Sequence, residues 1–448
     1  MSFGDSGLPA DPTATNKPAL GRRNTDPVKV NVVVSGWQVY DNKGRVVEKY
    51  EPFFSTGFDF VLADAAAQGQ RVQMFYDPRG QVILTLNPDG TEQRVLYGWP
   101  NLAGNLTALA EFAPTPWESY TYDANDLANE THRGQPVATA VAAHWYTPQS
   151  AEVDALGRVI RTKDRLEPVA AGGPLVEVMM EYFYDLRGNR TRVMDAYRRV
   201  SFEHVYDLRP KAGEDDPGAN VLWTRHLDGG VRRALFDGTG QPLQGEDAKG
   251  ALTLHAYDAL GRPTDAWARD QTGEAVSRRQ CLEYGANTAA APASNTVGQL
   301  TRHFDEAGLV RVLGYDFKGN VLEKERQVVA DSVLTAQWGV QAGTNWQSLP
   351  AGYNAHWNDV SAPTDRLAAR VYQTSTRYDA LNRATRLTLP QEAGAGGVRP
   401  VLVPSYNRAG GLEQVRLDGQ VLVERVAYNA RGQRLLLARG NGLVTRYA

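Results

Sequence analysis

Cysteine is almost missing from this sequence: 448 residues contain one, Cys281. A single thiol can form neither an internal disulfide nor a thiolate zinc cluster, so packing and backbone hydrogen bonds must hold the fold. Cys281 itself reads as a small core hydrophobe. Long apolar runs are missing too. No stretch reaches the roughly 20 residues of a membrane-spanning helix. Residues 1–27 are polar, rich in Pro, Gly, Asp and Asn, and carry no apolar signal-peptide segment; they are expected to form a disordered leader. Nor does either charge dominate. Lys and Arg number 48 against 51 Asp and Glu. That balance argues against a nucleic acid as main partner, since phosphate binding needs concentrated basic residues.

The signatures of common chemistries are missing as well. There is no Gly-x-Ser-x-Gly elbow, no His-Glu-x-x-His, no phosphate loop and no dinucleotide fingerprint. The seven histidines, His132, His144, His226 and His303 among them, lack metal-ligand spacing. The acidic run Glu214-Asp215-Asp216-Pro217-Gly218 does not have EF-hand spacing and reads as a solvated loop. The expectation is no catalytic residue, no cofactor, no metal, and no membrane insertion by this chain.

What is present is one phrase, repeated. It occurs as Tyr40-Asp41-Asn42-Lys43-Gly44-Arg45, and again around Tyr76, Asp77 and Gly80, around Tyr184, Asp185 and Gly188, and around Tyr257, Asp258 and Gly261. It returns around Tyr315, Asp316 and Gly319, and around Tyr428, Asn429 and Gly432. Weaker copies begin at Val153, Phe236, Phe304, Tyr378 and Tyr406, while Tyr122-Asp123 and Tyr206-Asp207 keep only the opening pair. Tyr184 to Tyr206 and Tyr406 to Tyr428 are each 22 residues apart, and Phe236 to Tyr257 is 21. Two strands of about seven residues and two short turns fill that length.

Each copy has a physical reading. Asp or Asn opens a type I turn because its side chain accepts the amide two residues on. Gly takes the left-handed conformation that closes the hairpin, and Asn382 replaces it in one copy as the next best residue. Tyr ends the incoming strand and offers its ring to the next repeat. After the Gly, segments such as Arg383-Ala384-Thr385-Arg386-Leu387-Thr388-Leu389 alternate as two-faced strands do. These features predict an all-β array of antiparallel hairpins over 28–448, with insertions near 100–150, 285–298 and 330–366. The repeated Asp residues are expected to shape turns, although paired carboxylates for glycoside hydrolysis remain open by composition. The basic residues after the Gly (Arg45, Arg158, Arg190, Arg262, Arg383) are expected to form a ladder with repeat carboxylates. Trp338, Trp346 and Trp357 are expected to plug gaps in the sheet, or alternatively to stack on sugars.

The repeat resembles the YD repeats of Rhs proteins and teneurins. Gly36-Trp37-Gln38-Val39-Tyr40-Asp41, Glu48-Lys49-Tyr50-Glu51-Pro52-Phe53-Phe54-Ser55 and Leu86-Asn87-Pro88-Asp89-Gly90-Thr91 resemble, in that order, the C-terminal YD-repeat part of the B component of bacterial insecticidal toxin complexes. The resemblance implies hairpins spiralling into a partial hollow β-shell that encloses a toxic cargo domain. It implies a C-component-like YD-repeat or Rhs-core partner, and secretion within the complex without the usual signal peptide. In that family an upstream region docks on a pore-forming A component. Neither that region nor an Rhs core is recognisable here, so a fragment or one gene of a split set is expected. The alternative role is a surface protein that binds carbohydrate or a cell-surface receptor.

Overall fold

The computed structural model describes residues 2–3, 30–58, 70–100, 105–167, 173–209, 219–289, 291–338, 356–357, 366–391 and 397–447. The Glu214–Gly218 run, Trp346 and all of the 1–27 leader except Ser2–Phe3 lie outside them. The described residues fall into two compact units, one reaching to Gly229 and including the Asn429–Gln433 turn, the other spanning Gly230–Tyr428 and the residues from Arg434 on.

The first unit is an antiparallel ladder. From Gln38–Tyr40 to Val221–His226 each strand pairs with its predecessor in sequence. The exception is Phe53–Thr56, which leaves the ladder to pair with Asn31–Val34, itself paired with Ser2–Phe3. Val46–Tyr50 therefore continues directly to Arg71–Tyr76. In the second unit the same meander runs from Gly230–Phe236 to Val444–Arg446. Among the described residues neither ladder closes on itself, and no helix is long and apolar enough to cross a membrane.

Alternation gives the ladder two unlike faces. On one, directly opposed residues form ion pairs: Glu152 with Arg161 and Arg161 with Glu181, then Glu203 with Arg225. In the second unit Arg233 faces Glu246, Glu283 faces Arg302, and Arg311 faces Glu325. In the first unit, neighbouring rows on the other face such as Ala151-Thr162-Met180 and Tyr182-Val193-Phe202-His226 hold no carboxylate or guanidinium.

A few strand residues such as Val193, Val426, Leu436 and Ala438 are buried, but the clusters of buried side chains lie where the meander is interrupted. After Glu92–Trp99 the chain adds a 3-10 turn at Leu109–Glu111 and short helices at Ala128–Thr131 and Pro136–Ala140. There Leu106, Leu109, Phe112 and Tyr146 pack on buried Tyr120, Tyr122 and Leu127. Asp126 ties this excursion down, accepting from the Asp123 and Thr147 amides, and burial pushes its carboxyl up. In the second unit Cys281, Phe304, Leu309, Val329, Trp357 and Leu367 form one cluster, covered by Val333 and Leu334 of helix Asp331–Trp338. Burial raises the Cys281 thiol, which sits in this core as expected of a lone cysteine. The segment around Gly285–Gly298 is a built excursion rather than an open loop: a 3-10 turn at Ala291–Ser294, with the Gly298 amide bonded to the Gly285 carbonyl.

Candidate functional site: the lock between repeats

The repeated turn has the same bonds in the six full copies and at Asp154, Asp237, Asp379 (with Asn382 for Gly) and Asn407, but not at Asp123 or Asp305. The Gly amide donates to the Asp carbonyl, and the Asp amide donates to the carbonyl four residues on, as in Gly80 to Asp77 and Asp77 to Gln81. Gly80, Gly188, Gly261, Gly319 and Gly432 have φ between +74° and +89°, where a Cβ is strained. One carboxylate oxygen, Oδ1, accepts the amides two and four residues on at Asp77, Asp185, Asp258 and Asp316. The Asn429 side-chain oxygen does the same. Register shifts fall at the Tyr, for example between Phe75 and Tyr76, where the two strands enter the turn. The second oxygen, Oδ2, takes the side chain of the residue after the Gly at Asp154, Asp185, Asp258 and Asp316, and that of Arg79 at Asp77. With Arg the contact is bidentate: Arg158 Nε and Nη2 lie 2.7 and 2.6 Å from Asp154, and Arg262 matches this at Asp258. Asn189 and Asn320 each give one bond, at 2.9 and 2.8 Å.

That guanidinium lies over the Tyr ring of the following copy or, for Arg262, over Tyr284 at the end of strand Ser277–Tyr284. The distances are 4.7 Å for Arg45 to Tyr76, 4.8 Å for Arg158 to Tyr184, 4.2 Å for Arg262 to Tyr284 and 4.6 Å for Arg383 to Tyr406. The Tyr hydroxyl then donates to the carbonyl just after the Arg: Tyr76 to Val46, Tyr184 to Val159, Tyr284 to Pro263 and Tyr406 to Ala384. Tyr206, Tyr257, Tyr378 and Tyr428 repeat the bond on Arg190, Pro242, Val321 and Leu412. Asp, Arg and the next Tyr thus form one interlocked unit.

Three sequence expectations change in detail. The ring packs back on the preceding repeat, where its hydroxyl finds an acceptor, rather than forward. Arg45, Arg158, Arg262 and Arg383 pair with the Asp of their own turn, while other residues build the cross-strand ladder. Arg190 is displaced because Asn189 fills the slot after the Gly, and it lies 5.5 Å from the Tyr182 ring instead. The Tyr206-Asp207 copy, which stops after two residues in sequence, is completed by Asn220, whose amides close on Asp207. Two turns with the same bonds escaped notice, at Asp195 and Asp247. Neither is preceded by an aromatic residue, and the Asp195 turn puts Arg198 at φ 58° where Gly stands elsewhere. The signal that finds them is an acidic residue at each strand exit, not the tyrosine.

These bonds favour ionised turns. The Arg158 and Arg262 side chains hold the Asp154 and Asp258 carboxyls below the usual range, while at Asp77 the Gln81 amide leads. Among the described residues no group of His, Cys, Asp and Glu could hold a metal. Trp357 is 1% exposed, so it cannot stack on a sugar and instead fills the core. Tyr184→Phe isolates the hydroxyl: it should cost about 1 kcal/mol, the net worth of one hydrogen bond, read as a lower urea midpoint with unchanged slope. No shift would mean that the Val159 carbonyl is equally well served by water.

No family model matches the chain. Two toxin subunits of Yersinia entomophaga are similar: YenC2, 27% identical over 298 residues, and YenC1, 24% over 315. The matches cover 60% and 68% of this chain but only 27% and 30% of those proteins, so it spans under a third of either. A crystal structure of TcdB2-TccC3, 25% identical, matches with a TM-score of 0.71 over 93% of this chain and 18% of that one. The fold of a Photorhabdus luminescens Tc holotoxin pore, 24% identical, matches at 0.72 over 94% of this chain and 18% of that one. The chain is similar to these toxin subunits. Its antiparallel hairpins have the fold of those assemblies, and the Asp-Arg-Tyr lock is the form that its own Tyr-Asp repeat takes.

Proposed function

We propose that this YD-repeat chain is a wall segment of a shell that encloses a toxic cargo domain within a bacterial toxin complex. The observation that carries the reading is the lock. It fastens each hairpin to the one before it, so a sheet one layer thick can extend without a second layer packed across it. Most strand residues are accordingly half-buried rather than buried, as befits a wall. The similar toxin subunits and the matching fold of the toxin assemblies support the same role. In this reading the chain is structural and performs no reaction. Its partner is a second YD-repeat chain of the C-component kind, and the complex acts outside the producing cell. A pore-forming component is engaged through other regions. The segments near 100–150, 285–298 and 330–366 are insertions in the array.

Co-expression with a YD-repeat or Rhs-core chain that carries a cargo domain tests this. The expected result is one stable complex on size exclusion in which the cargo resists protease, and cargo that is digested when this chain is left out. Separate elution of the two chains, with equally exposed cargo, would sink the reading.

A further inference from the structure

Away from the lock, the first unit holds a cavity of about 650 Å³ lined by Trp99, Trp117, Glu118, Tyr120, Glu152 and Ile160, among others. Two of its carboxylates are badly placed for a sheet. Glu118 and Glu152 are directly opposite partners on strands Ala113–Tyr122 and Gln149–Val153, a position where like charges repel. Arg161 answers only one of them. It bonds Glu152 at 2.7 Å and shares its guanidinium with Glu181 at 3.1 Å. Arg165, 5.0 Å from the Tyr120 ring, is committed to the Pro148 carbonyl, the Ser150 hydroxyl and Glu177.

Glu118 is therefore left over. It is 8% exposed, and its Oε1 has no hydrogen-bond partner; the Tyr120 hydroxyl bonds to the carboxylate but brings no charge. A buried carboxylate oxygen without a donor is costly, and a wall-forming sheet has no structural use for it. Trp99 and Trp117, which also line the cavity, stay 52% and 48% exposed. Indole faces attract organic cations.

We propose that this cavity binds an organic cation, a guanidinium or alkylammonium group such as an arginine or lysine side chain presents, with Glu118 as its charge partner and Trp99 and Trp117 as its walls. A neutral sugar could stack on the indoles and donate to Oε1, but it would leave the opposed carboxylates unbalanced. The observations therefore favour the cation, and the sugar becomes a competing outcome.

The test titrates the intact chain with N-acetyl-arginine amide and tetramethylammonium. N-acetyl-citrulline amide serves as neutral isostere and maltose as neutral sugar. Binding is read by calorimetry and by tryptophan fluorescence in the parent, W99F and W117F chains. Saturable binding of the cations is expected, at least tenfold weaker for citrulline and at least tenfold weaker in Glu118→Gln. The Glu118→Gln variant also removes a like-charge pair, so without ligand its thermal midpoint should equal or exceed the parent's, which separates lost binding from lost fold. Binding of citrulline or maltose as tight as that of arginine, absence of any cation binding, or a Glu118→Gln variant that binds like the parent would each overturn the proposal.

Discussion

Replacing Trp357 with alanine should lower the unfolding free energy of the second unit by about 3–5 kcal/mol, the range for truncating a large buried aromatic. The residue is 1% exposed and its ring meets Phe304 at 5.1 Å. Its indole N–H donates to the Asp305 carbonyl at 3.0 Å, and its own amide donates to the Arg278 carbonyl at 2.9 Å. The truncation would leave a void against Cys281, Leu309, Val329 and Leu367, and it would strip the Asp305 carbonyl of its donor. Most of the array consists of half-buried strands that cannot collapse into such a gap. Trp357→Phe keeps most of the volume and should cost about 1–2 kcal/mol, chiefly for the lost hydrogen bond. Urea denaturation followed by circular dichroism measures both. An alanine variant within about 1 kcal/mol of the parent would show that the cluster does not hold the second unit together.

Acid should dismantle the array over a narrow range. The carboxyls of Asp41, Asp77, Asp154, Asp195, Asp258, Asp316 and Asp379 are all held below their ordinary value. At Asp154, Asp195, Asp258, Asp316 and Asp379 the leading cause is a side-chain bond from the residue after the turn. At Asp41 and Asp77 it is a backbone amide. A carboxyl depressed in the folded state stabilises fully above its unfolded value, about 3.9. That contribution is lost as pH falls through the lower folded value. Stability should therefore be level from about pH 7 to 5 with respect to these groups, and fall steeply below about pH 4 because many turns titrate together. Asp126, raised by burial, works the other way but is a single group. Asp258→Asn should keep the amide bonds, as Asn429 does, yet lose the Arg262 pair, giving lower stability at neutral pH and a shallower acid limb. A turn-dependent acid transition centred above pH 5 would contradict this account.

The array was legible because its turn chemistry is local. An Asp that bonds amides two and four residues on, and a Gly at positive φ, need nothing beyond five consecutive residues, so the phrase at Asp77 or Asp258 could be read directly. The partner of the Tyr could not. Its acceptor lies 15 to 57 residues away, from Tyr257 on Pro242 to Tyr378 on Val321, and no spacing rule says which repeat it chooses. The Asp207 turn hid for a related reason, since Asn220 completes it across an insertion. Trp357 was correctly suspected of filling a gap, but its neighbours Cys281 and Phe304 come from strands far off in sequence. The Glu118–Glu152 pair was unreadable, because opposition across strands depends on register rather than on any motif.

The backward reach of each tyrosine gives the hairpin array a direction of growth. A new hairpin brings its own lid, and the seat for that lid, an arginine already clamped by its aspartate, has been built by the hairpin made before it. The array is thus a ratchet that advances from N- to C-terminus, the order in which a ribosome delivers it. Nested truncations should reveal the polarity. Pieces shortened from the C-terminus lose only a lid at the cut, whereas pieces shortened from the N-terminus start with a tyrosine that has nowhere to sit.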